Sequence, residues 1–482
     1  MCSCGGVLSG RQHSNPQAQE SEVLDLIRLA RSLKPRPIAY RKALDRLIDE
    51  TMAELSAVAR PIDRERISEN FGRELRQLWL EASAVSTSSS YRSPAVADTT
   101  KTATGRRIDF GYERDLQPAH LEDRCKTFFA SPPRGWTAEH ILLSSGQSAM
   151  AAILHALEGS SLFDETRKLS CLHLGSYFET GEIFSLFKSL LVSCARGRSA
   201  AENVTAQDGD IVIVEPVFCD GSFGVVDVNR LLAGHEQRPR PRVYLFDNTL
   251  CGTRFALEQQ LYRFDKIEPL AVFRIFSGLK LFQAGLELSS VGILSVFTRD
   301  GSSVSARELA DRIRRIRTLL GLGLTFFEVA ALEVPWFLDP EQTRTHERAV
   351  FDNNAVLAQA VAAENRLFDG VFHPSLLAGA TLGAPYSAYR LREHDLAAYE
   401  RLEHHIRHEA ERRDFQFELG GSFGFRGHRF EVVRPETGEE PFLRVALGCR
   451  SGWSCDQIAK LMADISRATS VAELTADETL AG

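Results

Sequence analysis

The chain has 482 residues, 44% of them hydrophobic and 25% charged, and a formal net charge of -7. That length holds a large domain plus smaller units, so burying an apolar core is no constraint. Acidic and basic residues are mixed, which argues against a nucleic-acid footprint or a polybasic membrane patch, and no run reaches the roughly 18 apolar residues a spanning helix needs.

The opening Met1-Cys2-Ser3-Cys4 lacks the basic and apolar stretches of a secretory signal, so a cytoplasmic protein with reduced thiols is expected. Nine cysteines are scattered along the chain. Cys2 and Cys4 have no second pair to complete a zinc site, and no metal is expected. Residues 1–20 are polar and read as poorly ordered. Helical periodicity follows, with Val23, Leu26, Ile27 and Ala30 on one face until Pro35 and Pro37 interrupt it. Leu44, Leu47, Ile48 and Leu55, then Phe71, Leu75, Leu78 and Trp79, mark two more amphipathic stretches, and together these make a helical arm. From Ser86 to Thr104 the apolar period vanishes, as in a linker or loop.

Short apolar runs then alternate with helical segments. Ile211–Val214, Val243–Phe246 and Leu270–Ile275 have the character of buried strands in a mostly parallel sheet. Ligands of such sheets sit beyond the carboxyl ends of the strands, where the loops after Val214 and Phe246 would converge. Helical patterns over Ser305–Leu319 and Glu347–Ala363 lead to a mixed α+β part, with the apolar run Phe442–Leu447 and a last helix around Ile458–Ile465. The expected organisation is an arm and linker over 1–105, an α/β large domain over 106–335, and an α+β domain over 336–482. His404, His405 and His408 lie in a charged helical run and read as a solvated face rather than a metal site.

Four segments carry chemistry: Tyr112-Glu113-Arg114, Ser144-Ser145-Gly146-Gln147, Asp247-Asn248-Thr249 and Ser277-Gly278-Leu279-Lys280. A pyridoxal 5′-phosphate enzyme needs a lysine amine, an acid at the ring nitrogen, donors for the phosphate and an aromatic group over the ring. Lys280 follows a strand-like run and can supply the amine, as a Schiff base with the cofactor. Asp247 ends another strand, where a buried carboxylate needs a partner and a pyridinium N–H would serve; a turn or cap residue is the alternative. Ser145, Gly146 and Gln147 precede a helical pattern and can hold a phosphate at a helix start, or simply cap it.

From Tyr112 to about Ile465 these segments resemble the cystathionine γ-synthase-like family of pyridoxal-phosphate enzymes. The resemblance implies fold type I, the aspartate-aminotransferase-like fold, with the large domain, C-terminal domain and arm described above. It implies that Tyr112 and Arg114 reach a neighbouring subunit's cofactor phosphate, that Ser277 also serves the cofactor, and that Tyr177 stacks on the ring and works as acid or base. Arg444, in Leu443-Arg444-Val445-Ala446-Leu447-Gly448, would grip the substrate α-carboxylate, with Ser422 as a second substrate-binding candidate.

The chain departs from the family pattern at several places. Gln147 stands where Met is usual, Leu279 replaces a hydroxyl residue, and Glu215-Pro216-Val217-Phe218-Cys219-Asp220 puts Asp220 near the cofactor phenolate in place of an asparagine. Gln283-Ala284-Gly285-Leu286 replaces a Gly-His segment. The reading is a divergent member that catalyses elimination or replacement at Cβ or Cγ of an amino acid, a branch that includes formation of the terminal alkyne of propargylglycine. Transamination and a non-catalytic assembly role are the alternatives. A homodimer or homotetramer with shared sites is expected.

Overall fold

The structure is a computed structural model that describes residues 16–88, 101–108, 110–158, 168–197, 209–218, 223–236, 242–379, 381–434 and 440–475. Asp220, Cys2 and Cys4 lie outside the described residues, as does most of the expected linker.

Three helices come first: α1 Pro16–Ser32, α2 Ile38–Ala57 and α3 Pro61–Ser88. α1 begins inside the stretch read as poorly ordered. Pro35 and Pro37 fall between α1 and α2, where a missing N–H and a restricted preceding residue stop a helix. The apolar faces of the three helices do not form an independent bundle. Leu26, Leu47 and Trp79 belong to one core with Phe276, Leu281 and Phe282, which flank Lys280. Trp79 Nε1 donates to the Ala331 carbonyl at 2.8 Å, so its polar atom is satisfied in the core.

The large sheet has strands β1 Trp136–Leu143, β2 Leu169–Leu174, β3 Leu191–Gly197, β4 Ile211–Val214, β5 Val243–Asp247, β6 Ala271–Ser277 and β7 Gly292–Arg299. Their order is β1-β7-β6-β5-β4-β2-β3. β7 is antiparallel to both neighbours, and the other pairings are parallel. β4 and β6 are buried almost throughout, which explains continuous apolar runs instead of alternation.

The register assembles one edge. Asp247 lies opposite Ile275, Ser277 opposite Gly292, and Leu143 opposite Gly292. Parallel β5 and β6 therefore deliver Asp247 and the Ser277–Lys280 turn side by side, while β1 brings Ser144–Gln147 to the same place. A side chain at Gly292 could not be accommodated, because a Cβ there would lie 2.0 Å from the Ser145 carbonyl oxygen.

The second sheet contains β8 Phe368–Phe372, β9 Ser387–Leu391, β10 Glu418–Leu419, β11 Arg429–Val433 and β12 Phe442–Ala446, in the order β10-β11-β12-β9-β8. Helices Leu396–Arg412 and Trp453–Arg467 pack on it through Leu402, Ile406, Ile458 and Leu461. The long helix spans Pro340–Ala363, starting earlier than its apolar pattern suggested, because Asp339 accepts from the N–H groups of Glu341 and Gln342 and Pro340 takes the first turn. On Leu396–Arg412, His404 and His408 are exposed, but His405 turns inward. Among the described residues, no helix is long and apolar enough to cross a membrane.

Candidate active site

A cavity of about 440 Å³ opens where the carboxyl ends of β5 and β6 meet the second sheet. It gathers Ser145, Gly146, Gln147, Tyr177, Asp247, Ser277, Lys280, Ser422 and Arg444, all singled out in the sequence. Segments spread from Ser145 to Arg444 thus contribute to one chamber through strand register rather than proximity in sequence.

Lys280 sits in the short helix Gly278–Leu281 that follows β6. Its Nζ donates to Ser422 Oγ and lies 5.3 Å from the Phe423 ring centroid and 5.7 Å from that of Phe425. Burial lowers the amine's pKa, and the charge of Arg444 lowers it further. Ser422 adopts a left-handed φ of 77°, a strained conformation for a residue with a Cβ. The loop can approach this closely because Gly424, at φ 83°, leaves room for the Lys280 carbonyl; a Cβ there would come within 2.4 Å of it. Gln283 accepts from Leu288 and Ser289 N–H at 2.7 and 3.0 Å and donates to the Gly278 and Ser289 carbonyls at 3.1 and 2.6 Å. It ties down the turn that carries the lysine.

Asp247 Oδ1 accepts from Thr249 N–H at 2.9 Å, an Asx-type turn. Thr249 Oγ1 in turn accepts from Ser277 N–H at 2.9 Å, bracing the end of β5 against the lysine turn. Burial pushes the Asp247 carboxyl up to about 6, offset in part by the Thr249 hydrogen bonds and raised further by the charge of Glu215. No lysine or arginine pairs with Asp247 among the described residues. Glu215 accepts from Ser176 N–H at 2.9 Å and Tyr177 N–H at 3.1 Å, and meets His173 Nε2 at 2.9 Å. Glu215 therefore fixes the backbone that presents Tyr177.

Ser145 Oγ accepts from Ser148 N–H at 3.0 Å, capping the helix Gly146–Glu158. Both readings of this segment thus remain compatible: the cap satisfies one amide, and the start of a 13-residue helix faces the cavity. The Tyr177 hydroxyl donates to Glu179 Oε2 at 2.5 Å, and the Gln147 amide donates to both Tyr177 and Glu179. Gln147 thereby orients the tyrosine.

Arg444 on β12 is paired with Glu431, directly opposite on β11, and its guanidinium lies 5.2 Å from the Tyr386 ring centroid. Leu279 lines the cavity as an apolar wall. Tyr112 and Arg114 do not line it: both are exposed at the 3₁₀ turn Glu113–Asp115, the guanidinium 5.4 Å from the ring. Sequence reasoning assigned no supporting role to Thr249, His173, Glu179 or Glu431, although Thr249 lay in a segment it singled out. Thr249 had a signal, since Asp-x-Thr after a strand forms such a turn; Glu431 had none, because only strand pairing puts it on Arg444.

The residues present fit pyridoxal phosphate. A buried acid without a cation suits a protonated ring nitrogen, the Ser145–Gln147 helix start and Ser277 suit a phosphate, and the amine of Lys280 faces the same space.

The fold is pyridoxal-phosphate fold type I, that of the γ-lyases among the similar structures. A methionine γ-lyase from Micromonospora echinospora, CalE6, aligns with a TM-score of 0.51 at 19% identity, over 75% of this chain and 88% of its own. Cystathionine γ-lyase from yeast aligns with a TM-score of 0.53 at 14% identity, over 76% and 88%. No family model matches the chain, and no curated protein matches it in sequence.

Proposed function

We propose that the chain is a pyridoxal-phosphate enzyme that eliminates or replaces a group at Cβ or Cγ of an amino acid. The observation that carries this reading is the pairing, in one cavity, of a half-buried amine of lowered basicity at Lys280 with a half-buried carboxyl at Asp247 that has no lysine or arginine partner among the described residues. When bound, pyridoxal phosphate supplies an aldehyde for covalent attachment of an amine and a ring that withdraws electrons from the substrate Cα.

The chain's residues divide the remaining work. Asp247 holds a proton at the ring nitrogen, while Ser145, Ser277 and the helix start hold the phosphate. Lys280, its amine shifted toward the neutral form, takes the Cα proton and then a proton from Cβ, whose bonding pair expels the Cγ group. Tyr177, oriented by Gln147 and Glu179, covers the ring and assists proton transfer at the leaving group. Arg444 receives the substrate carboxylate through its planar fork. Tyr112 and Arg114 serve the site of a neighbouring subunit, which explains their exposure in the single chain. Elimination of halide from a γ-chloro-allylglycine to a terminal alkyne is the specialised form of this chemistry that the sequence resemblance brings into view.

Supplying the purified protein with pyridoxal phosphate should give a yellow species, and borohydride reduction should fix the cofactor to the peptide containing Lys280. Protein that stays colourless and yields no reduced adduct would end the proposal. Product analysis with L-cystathionine, an O-acylhomoserine and γ-chloro-allylglycine then separates elimination, replacement, alkyne formation and transamination.

A further inference from the structure

Arg444 is already occupied. Its guanidinium pairs with Glu431, which faces it across the β11–β12 ladder. This pair is unlike the buried ion pair of the scaffold: the side chains of Arg444 and Glu431 are 20% and 25% exposed, against 2% and 5% for Arg274 and Glu258. Each side chain of the first pair keeps solvent contact, although the Glu431 Oε1 that faces Arg444 is itself buried, so exchanging one carboxylate for another strands less charge than it would in the scaffold pair. Arg444 opens on the cavity, whereas Glu431 is held behind it, against Gly421. The three atoms nearest to a Cβ built on Gly421 all belong to the Glu431 carboxyl group, the closest at 2.9 Å. Gly421 has an ordinary φ, so its missing side chain serves the space and not the turn.

We infer that Glu431 is a specificity-determining residue, an internal carboxylate that occupies Arg444 and that the substrate's own carboxylate must displace. The inference rests on the reading of Arg444 as the carboxylate-binding residue. Displacement raises the threshold for entry: a ligand with a well-placed carboxylate can compete with Glu431, and an amine or amide of similar shape cannot. It also connects the carboxylate position with the amine, since Gly421 precedes Ser422, whose hydroxyl accepts from Lys280.

The test is a calorimetric titration of the full-length protein, supplied with pyridoxal phosphate, with pentanoate and with the neutral control pentanamide. Glu431→Gln keeps the shape and removes the competing charge, and pentanoate should bind at least about fivefold more tightly while pentanamide is unaffected. Gly421→Ala displaces Glu431 by crowding and should shift pentanoate affinity the same way, which keeps the inference open to refutation if Glu431→Gln folds poorly. Arg444→Ala should remove the preference for pentanoate over pentanamide. Loss of that preference in Arg444→Ala combined with unchanged or weaker pentanoate binding in the Glu431 and Gly421 variants would overturn the role of Glu431 and leave Arg444 in place. An undiminished preference in Arg444→Ala would overturn both.

Discussion

Buried charge in this molecule comes in two kinds, and β6 with its following turn displays both. Within the strand, Arg274 is bonded to Glu258 at 2.8 Å and to Ser295 Oγ at 3.1 Å, and its guanidinium lies 4.0 Å from the Phe129 ring centroid. Arg317 is similarly provided for, donating to Glu122 and to the Leu142 carbonyl, both at 2.6 Å. At the carboxyl edge of the same sheet, Lys280 has a hydroxyl for a partner and Asp247 a backbone N–H. Desolvating a charge without a counter-ion is costly; Glu347 and Glu65 show that the scaffold also tolerates buried carboxyls held only by hydroxyl and N–H donors, so what sets Lys280 and Asp247 apart is that they share one cavity, where a ligand can complete the arrangement.

The sharpest way to break this contrast is at Lys280. Lys280→Ala should abolish the borohydride-fixed adduct and lower turnover by about 10²–10⁴-fold or more, with little change in the unfolding midpoint; full turnover would remove the lysine from the chemistry. Removing a matched scaffold charge should do the reverse. Arg274→Met strands Glu258 in the core and should destabilise the fold by about 3–5 kcal/mol in denaturant unfolding, with cofactor attachment intact in the molecules that remain folded. Trp79→Ala belongs to the same class of effect, about 3–5 kcal/mol, because it empties the core shared by the arm and the lysine turn. An arm that melted separately from the rest would refute that continuity.

A smaller effect concerns pH. The folded-state pKa of Asp247 is raised from an ordinary 3.8 to about 6, so between these values the folded chain holds a proton that the unfolded chain has lost. Stability should therefore fall as pH rises through this window, by about 3 kcal/mol in total for the cofactor-free protein. Asp247→Asn should flatten the curve between roughly pH 4 and 6; an unchanged slope would mean that the carboxylate has a partner in solution. The smallest expected change is at Thr249→Val, which removes the acceptor for Ser277 N–H and should reduce stability by about 1 kcal/mol, measured as a shift of the denaturant midpoint.

Much of the fold was legible. Strand cores such as Ile211–Val214 and Val243–Phe246 show as unbroken apolar runs because both faces are covered, and the proline pair 35/37 separates two helices for purely local reasons. Asp247 and Lys280 were legible because each stands at the end of such a run with a chemically distinctive neighbour. Partners supplied across strands were not: Glu431 looks like one more surface glutamate until β11 pairs with β12, and Gln283 like any polar loop residue until it spans four backbone groups. His405, read as part of a solvated face with His404 and His408, faces inward because of how its helix packs on the second sheet.

The sequence alone determined the local rules: periodicities, breaks, caps, and an amine and an acid at strand ends. These depend on each residue's own geometry and its few neighbours along the chain. Tertiary structure decided which of those groups share a cavity, which charges are matched and which are left wanting, and that the arm belongs to the main core, because strand register and desolvation arise only when distant segments pack together.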